Sequence, residues 1–183
     1  MKVEKTFIPG LLVVEPDFFP DNRGFFFESF NKEKYKDAGI AFEFVQDNLS
    51  KSTKNTVRGL HYQAGEFAQG KLCQVITGAV IDVALDVRFG SPTFGKYFSV
   101  ELSGENHKQI WIPPGFAHGF SVLSDEAIFS YKCTAKYDKS SERSILYNDP
   151  ALGIEWMVEA PIVSDKDLKA KMFVEIEKEF FFV

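Results

Sequence analysis

Along this chain, apolar and polar residues alternate in short runs that are broken by glycine, proline, asparagine and aspartate. The runs LLVVEPDFF, RGFFFESF, FEFVQDNLS, TVRGLHYQ, KLCQVITGAVIDVALDV, GKYFSVELS, KQIWIPPGFAHGFSVLS, AIFSYKCTAKY and RSILYND carry the period-two texture of strands. Many short strands at fairly regular spacing predict a β-sandwich or barrel. Gly78, inside VITGAVIDV, reads as a hairpin turn, because glycine accepts positive φ. One early helix is predicted, with Asn31 capping KEKYKDA and Gly39 ending it. The tail from Asp165 onward mixes helical and strand character and predicts neither.

The alternation is clearest in VIDVALDV. Ile81, Val83, Leu85 and Val87 share one face, and Asp82, Ala84 and Asp86 share the other. A sandwich strand turns its apolar face inward, which would leave Asp82 and Asp86 on a solvated outer face. A barrel with a polar mouth or bore would hold the same carboxylates inside. Alternation alone does not choose between the two.

Composition narrows the class. At 183 residues the chain suffices for one domain with a sizeable core, and no repeat, low-complexity tract or linker divides residues 1–183. Its 20 phenylalanines predict an aromatic-filled core. A formal charge of −5 argues against nucleic acid as a partner, while leaving room for a local cationic pocket. No stretch approaches the roughly 20 apolar residues that a membrane helix needs, and MKVEKTFIPG lacks the apolar run of a signal peptide. Cys73 and Cys133 stand outside any CxxC and suit a reduced, cytoplasmic protein.

The chemistry-bearing residues each admit two readings. His61, in TVRGLHYQ, is a general base or a core histidine with a satisfied hydrogen bond. The cupin type of metal centre needs two histidines two apart on a strand, and LHYQ lacks the second, so no metal is expected. Lys71 opens its strand as a rim charge or as an anion partner. Arg58 suggests the same anion, since guanidinium matches phosphate geometry. Strict alternation puts Arg58 and His61 on opposite faces, so a shared pocket requires a bulge at Gly59. Tyr131 is a paired core tyrosine or a proton donor in a cleft. His118 follows a Pro-Pro-Gly turn as part of that turn or as a pocket lip. Arg23 and Glu28 flank an aromatic run as a surface ion pair or as ligand contacts. Gln46, Asp47 and Asn48 form a plain strand exit or a polar triplet suited to sugar hydroxyls.

Taken together, DNRGFFFESF, FVQDNLSKS, VRGLHYQ, QGKL, SPTFGK, QIWIPPGFAHGF, SYKCT and VSDKD resemble, in order and spacing, the dTDP-4-dehydrorhamnose 3,5-epimerase family. The resemblance covers roughly residues 1 to 170. It implies an all-β, cupin-like double-stranded β-helix (jelly roll) with a few short helices, working as a homodimer without metal or other cofactor. It also implies His61 as base, Asp167 rather than Asp165 as its partner, Lys71 near the enolate oxygen, and Tyr131 as acid on the opposite sugar face. Contacts to a dTDP-4-keto-6-deoxyhexose are implied for Arg23, Glu28, Gln46, Asp47, Asn48, Arg58, His118, Glu142 and Lys166. Tyr137 takes the position whose ring stacks on thymine. The competing expectations are an epimerase acting at one carbon of another dTDP-4-keto sugar, a catalytically silent sugar-nucleotide-binding jelly roll, and a metal-dependent cupin enzyme.

Overall fold

The computed structural model describes residues 1–183. Two antiparallel sheets face each other. The six-stranded sheet has the order β1-β2-β10-β7-β12-β5 and the five-stranded sheet the order β13-β6-β11-β8-β9. Their strands are β1 (Lys2–Lys5), β2 (Leu12–Glu15), β5 (Gln46–Thr53), β6 (Val57–Gln63), β7 (Lys71–Thr77) and β8 (Ala79–Asp86), followed by β9 (Tyr97–Ser103), β10 (Gln109–Ile112), β11 (Phe116–Val122), β12 (Glu126–Cys133) and β13 (Glu142–Ser144). A separate hairpin joins β3 (Phe19–Asp21) to β4 (Gly24–Phe26). Consecutive strands that cross between the sheets make this a jelly roll.

The space between the sheets is filled from both sides. Cys73, Val75, Ile110, Ile112 and Phe129 of the larger sheet meet Val80, Leu102, Phe116, Phe120 and Val122 of the smaller. Phe120 stacks on Phe129 with ring centroids 4.3 Å apart, so part of the phenylalanine excess does fill the core. The helix α1 (Lys32–Asp37) forms as its sequence predicts. Asn31 Oδ1 accepts from the Lys34 amide, and Gly39 follows at φ +94°. Its Tyr35 is buried against Leu12, Leu72 and Trp111 on the outside of the larger sheet.

β8 departs from the simplest reading of its pattern. Both of its faces are covered. Val83 and Leu85 point outward, yet they are buried beneath Ile145, Tyr147, Leu152 and Trp156 of the segment that follows β13. Val80 and Ala84 point into the sandwich, and Asp82 and Asp86 on that face are wholly buried. A solvated outer face for these aspartates is therefore incorrect. Asp86 is tolerated because Arg88 Nε and Nη2 donate to it at 2.8 and 2.7 Å, with Ser91 and Thr93 hydroxyls adding two more bonds.

Gly78 has the positive φ its position suggested (+83°) but does not close a hairpin. β7 pairs with β10 and β12, whereas β8 pairs with β9 and β11. The glycine turns the corner from one sheet to the other, where a Cβ would lie 2.1 Å from the Glu126 carbonyl oxygen. The tail resolves into a short helix, α2 (Asp165–Leu168), and a 3₁₀ turn at Phe173–Glu175. Single parallel bridges from Ile162 to Thr56 and from Lys171 to Ile145 tie it down.

The bulge that TVRGLHYQ requires is present. Phe120 pairs with Arg58 and His118 with His61, so the β11 step from 118 to 120 opposes the β6 step from 58 to 61. Gly59 takes φ +133°, and a Cβ there would lie 2.5 Å from Gly119 Cα. Gly59→Ala is expected to cost about 3 kcal/mol or more, from backbone strain plus overpacking. Gly65→Ala, at φ +66° with open space around it, is expected to cost only about 1–2 kcal/mol. Urea unfolding of both variants checks the difference.

Candidate active site

Because β6 bulges, Arg58 and His61 reach the same cavity, a cleft of about 440 Å³ between the sheets. His61 comes from the five-stranded sheet. Lys71 and Tyr131 come from β7 and β12 of the other. The imidazole and the phenol thus stand on opposite walls of one space. Arg58, Lys71 and Lys166 line it against a single carboxylate, Asp167, so the cavity is cationic inside an acidic chain.

His61 Nε2 lies 2.6 Å from Asp167 Oδ1. Asp167 is buried, whereas Asp165 is exposed. The carboxylate is fixed by its short helix. Ser164 Oγ caps α2 by accepting from the Asp167 amide, and the Gly59 amide donates to Asp167 Oδ2 at 3.4 Å. Burial works to raise the pKa of Asp167. The His61 hydrogen bond and charge, with the Gly59 and Ser164 bonds, outweigh that and hold it below the usual carboxylate value.

On the facing wall, burial pushes the Tyr131 phenol up to about 12, with the neighbouring Cys133 and Cys73 adding to the shift. It therefore carries its proton at neutral pH. The Lys71 ammonium stands 5.9 Å from the centre of the Tyr131 ring. Arg58 is steadied by donating from Nε to Ser52 Oγ at 3.0 Å.

His118 pairs with His61 across the β6–β11 ladder and lies deeper. Its Nε2 is 2.8 Å from Asp82 Oδ2 and 3.9 Å from Cys73 Sγ. Desolvation lowers the His118 pKa, against the opposing pull of Asp82. Sequence reasoning left the place of Asp82 open and gave Cys73 no role. Neither partnership of His118 is signalled by local spacing, since the three residues sit on three different strands.

The mouth of the cavity holds a polar chain. Lys166 Nζ lies 2.6 Å from Glu142 Oε1, and the Tyr137 hydroxyl donates to Glu142 Oε2 at 3.2 Å. The Tyr137 amide donates to Gln46 Oε1, and Gln46 Nε2 to Asn48 Oδ1. Asp47 alternates to the other face of β5, where Lys132 pairs with it at 2.9 Å. Arg23 and Glu28 also lie away from this cavity. Arg23 is 86 % exposed at the tip of the β3–β4 hairpin and pairs with Asp21, and Glu28 pairs with Lys34.

The sequence of this site, read over residues 5–175, matches the family model described as dTDP-4-dehydrorhamnose 3,5-epimerase. The chain belongs to that family. A relative from Shigella flexneri, itself a dTDP-4-dehydrorhamnose 3,5-epimerase, is 55% identical over 97% of this chain and 98% of its own. One from Pseudomonas aeruginosa is 49% identical over 97% and 98%. Among solved structures, a dTDP-6-deoxy-D-glucose-3,5-epimerase from Legionella pneumophila, in complex with dTDP-4-keto-L-rhamnose, superposes with a TM-score of 0.96. It is 48% identical and covers 100% of this chain and 98% of that one. The jelly-roll fold of this epimerase family is thus the fold found here.

The depressed pKa of Asp167 sets a direction for acid stability. The stabilisation it supplies is complete above the unfolded-state value of about 3.9 and disappears as pH falls through the lower folded-state value. Asp167→Asn is therefore expected to be destabilised near neutral pH and to lose less further stability than the parent below about pH 4. Urea midpoints across that range measure it.

Proposed function

We propose that the chain is a 3,5-epimerase that converts dTDP-4-dehydro-6-deoxy-D-glucose to dTDP-4-dehydro-L-rhamnose. The observation carrying this reading is the pair His61–Asp167 opposed to Tyr131 across one cationic cavity. The C4 ketone of the substrate acidifies the hydrogens on C3 and C5. His61 removes one of them as general base, and Asp167 steadies the imidazolium that forms. Charge moves onto the ketone oxygen, where the Lys71 ammonium stabilises the enolate; one such donor is worth on the order of 3 kcal/mol of barrier. Tyr131 returns a proton from the opposite face, which inverts the centre, and the sequence repeats at the second carbon. No hydride moves, so no redox cofactor is needed. An ammonium performs the task that a metal ion performs in other enolisations.

The rest of the site serves the nucleotide. Arg58 and Lys166 answer the diphosphate, as does Arg23. Gln46, Asn48 and Glu142 hold polar groups of the ligand, His118 supports the sugar, and the Tyr137 ring stacks on thymine; Asp47, on the other face of β5, does not join them. Residues 1–183 act as a single domain, in the cytoplasm. The working unit is a homodimer in which the β3–β4 hairpin carries Arg23 and Glu28 to the partner's cavity. Support for this comes from Phe19, Phe25 and Phe26, which are 59 %, 56 % and 66 % exposed around an arginine that does not reach its own cavity.

Two experiments test the reading. With dTDP-4-dehydro-6-deoxy-D-glucose in D₂O, followed by NMR, His61→Ala is expected to fold and to exchange neither the C3 nor the C5 hydrogen. Tyr131→Phe is expected to keep exchange at the base-accessible face and to lose inversion. Normal exchange in the first variant, or full epimerisation by the second, removes that residue from its role. For the dimer, the pair Phe19→Asp and Phe26→Asp is expected to sediment as a monomer. Its KM should rise about tenfold or more, the effect of losing one charged hydrogen bond. Arg23→Ala should raise KM similarly while the dimer persists.

A further inference from the structure

At the floor of the cavity lies a donor set that takes no part in the proton transfers proposed above. Cys73 on β7, Asp82 on β8 and His118 on β11 bring a thiol, a carboxylate and an imidazole together, with one donor atom from each lying within 4.8 Å of the others. We infer that these side chains bind one thiophilic divalent cation, Zn²⁺ above all, and that its occupation inhibits the enzyme.

The distances support coordination. Tetrahedral zinc, with bonds of about 2.0–2.3 Å, needs its nitrogen, oxygen and sulfur donors roughly 3.3–3.6 Å apart. His118 Nε2 lies 2.8 Å from Asp82 Oδ2 and 3.9 Å from Cys73 Sγ, on either side of that range, and all three donors lie within 4.8 Å of one another. The donor types are those that select zinc over magnesium or calcium.

A second observation points the same way. Asp82 is wholly buried, and its Oδ1 has no hydrogen-bond donor. Such an atom is costly unless something satisfies it. A cation would do so and would also balance the charge. Zn²⁺ with one thiolate, one carboxylate and a neutral imidazole is a net-neutral group, which suits an interior that resists isolated charge. The thiol proton leaves to solvent as the metal–sulfur bond forms. His118 lines the cavity, so the ion enters from the ligand side.

Inhibition rests on the function proposed above. A bound cation engages His118, which supports the sugar, and cancels the Asp82 charge near the Lys71 ammonium, which stands two residues from Cys73 on the same strand. Lys71 weakens the site in turn, so substrate and metal oppose one another.

The test uses Co²⁺ as a spectroscopic stand-in on the full chain, then Zn²⁺ as competitor. One equivalent of Co²⁺ is expected to produce sulfur-to-cobalt charge-transfer absorption, which Zn²⁺ abolishes. Cys73→Val removes the donor at similar volume and should eliminate the band. It should weaken Zn²⁺ by more than the roughly 10–100-fold that an outer-shell change costs, with deuterium exchange in metal-free buffer preserved. Cys133→Val should keep the band. Absence of the band in the unaltered chain, or its survival in Cys73→Val, overturns the site. Zn²⁺ bound at one equivalent with exchange unaffected overturns the inhibition. The cobalt spectrum is independent of turnover, so failure of the epimerase reading would not be mistaken for failure of the metal site.

Discussion

The contact between His61 and Asp167 joins the sheet to a C-terminal segment that backbone hydrogen bonds and apolar packing dock beside it. His61 belongs to the sheet, and Asp167 to a tail with one short helix and a few isolated bridges. The carboxylate is buried against the Gly59 amide and the Ser164 cap, so it cannot leave the imidazole without losing several bonds at once. This coupling orients the imidazole, since a histidine with a fixed partner on one nitrogen has its ring plane and tautomer set. On the proposed reading it makes the tail part of the catalytic apparatus rather than a surface appendage.

The same economy governs β6. A regular strand would send Arg58 and His61 to opposite faces. One extra residue, made possible by a glycine with φ +133° packed against Gly119, returns both to the cavity. The bulge therefore places the anion partner beside the base. On the facing sheet the β7–β12 ladder shifts register between Ile128 and Phe129, and Lys71 and Tyr131 lie in the continuous stretch beyond that shift.

Much of this was legible in the sequence, and for identifiable reasons. Alternation found the strands, Asn31 and Gly39 framed α1, and the conflict between Arg58 and His61 pointed to a bulge at Gly59. The family resemblance implied Asp167 as the partner of His61, and the two side chains lie 2.6 Å apart. What periodicity could not supply was long-range. Val83 and Leu85 looked like a core face and are buried, but beneath the C-terminal segment; the core between the sheets takes the Asp82 face instead. A strand covered on both sides gives the pattern of a half-exposed one when its polar residues have buried partners elsewhere in the chain. Gly78 carried a correct conformational signal and a misleading topological one, since hairpins and sheet-switching corners both require positive φ. The Asp82–His118–Cys73 grouping depends on three strands meeting, which no local pattern encodes.

The position of α2 after the last strand has a consequence for biogenesis. During synthesis every strand of the sandwich emerges before Asp167 does, so the histidine can be housed while its acidic companion is still being made. A chain ending just past β13 would lack this counter-ion and also the Ile145, Tyr147, Leu152 and Trp156 side chains that cover Val83 and Leu85. On the proposed reading, the acidic companion of the base is thus the last residue of the site to be translated.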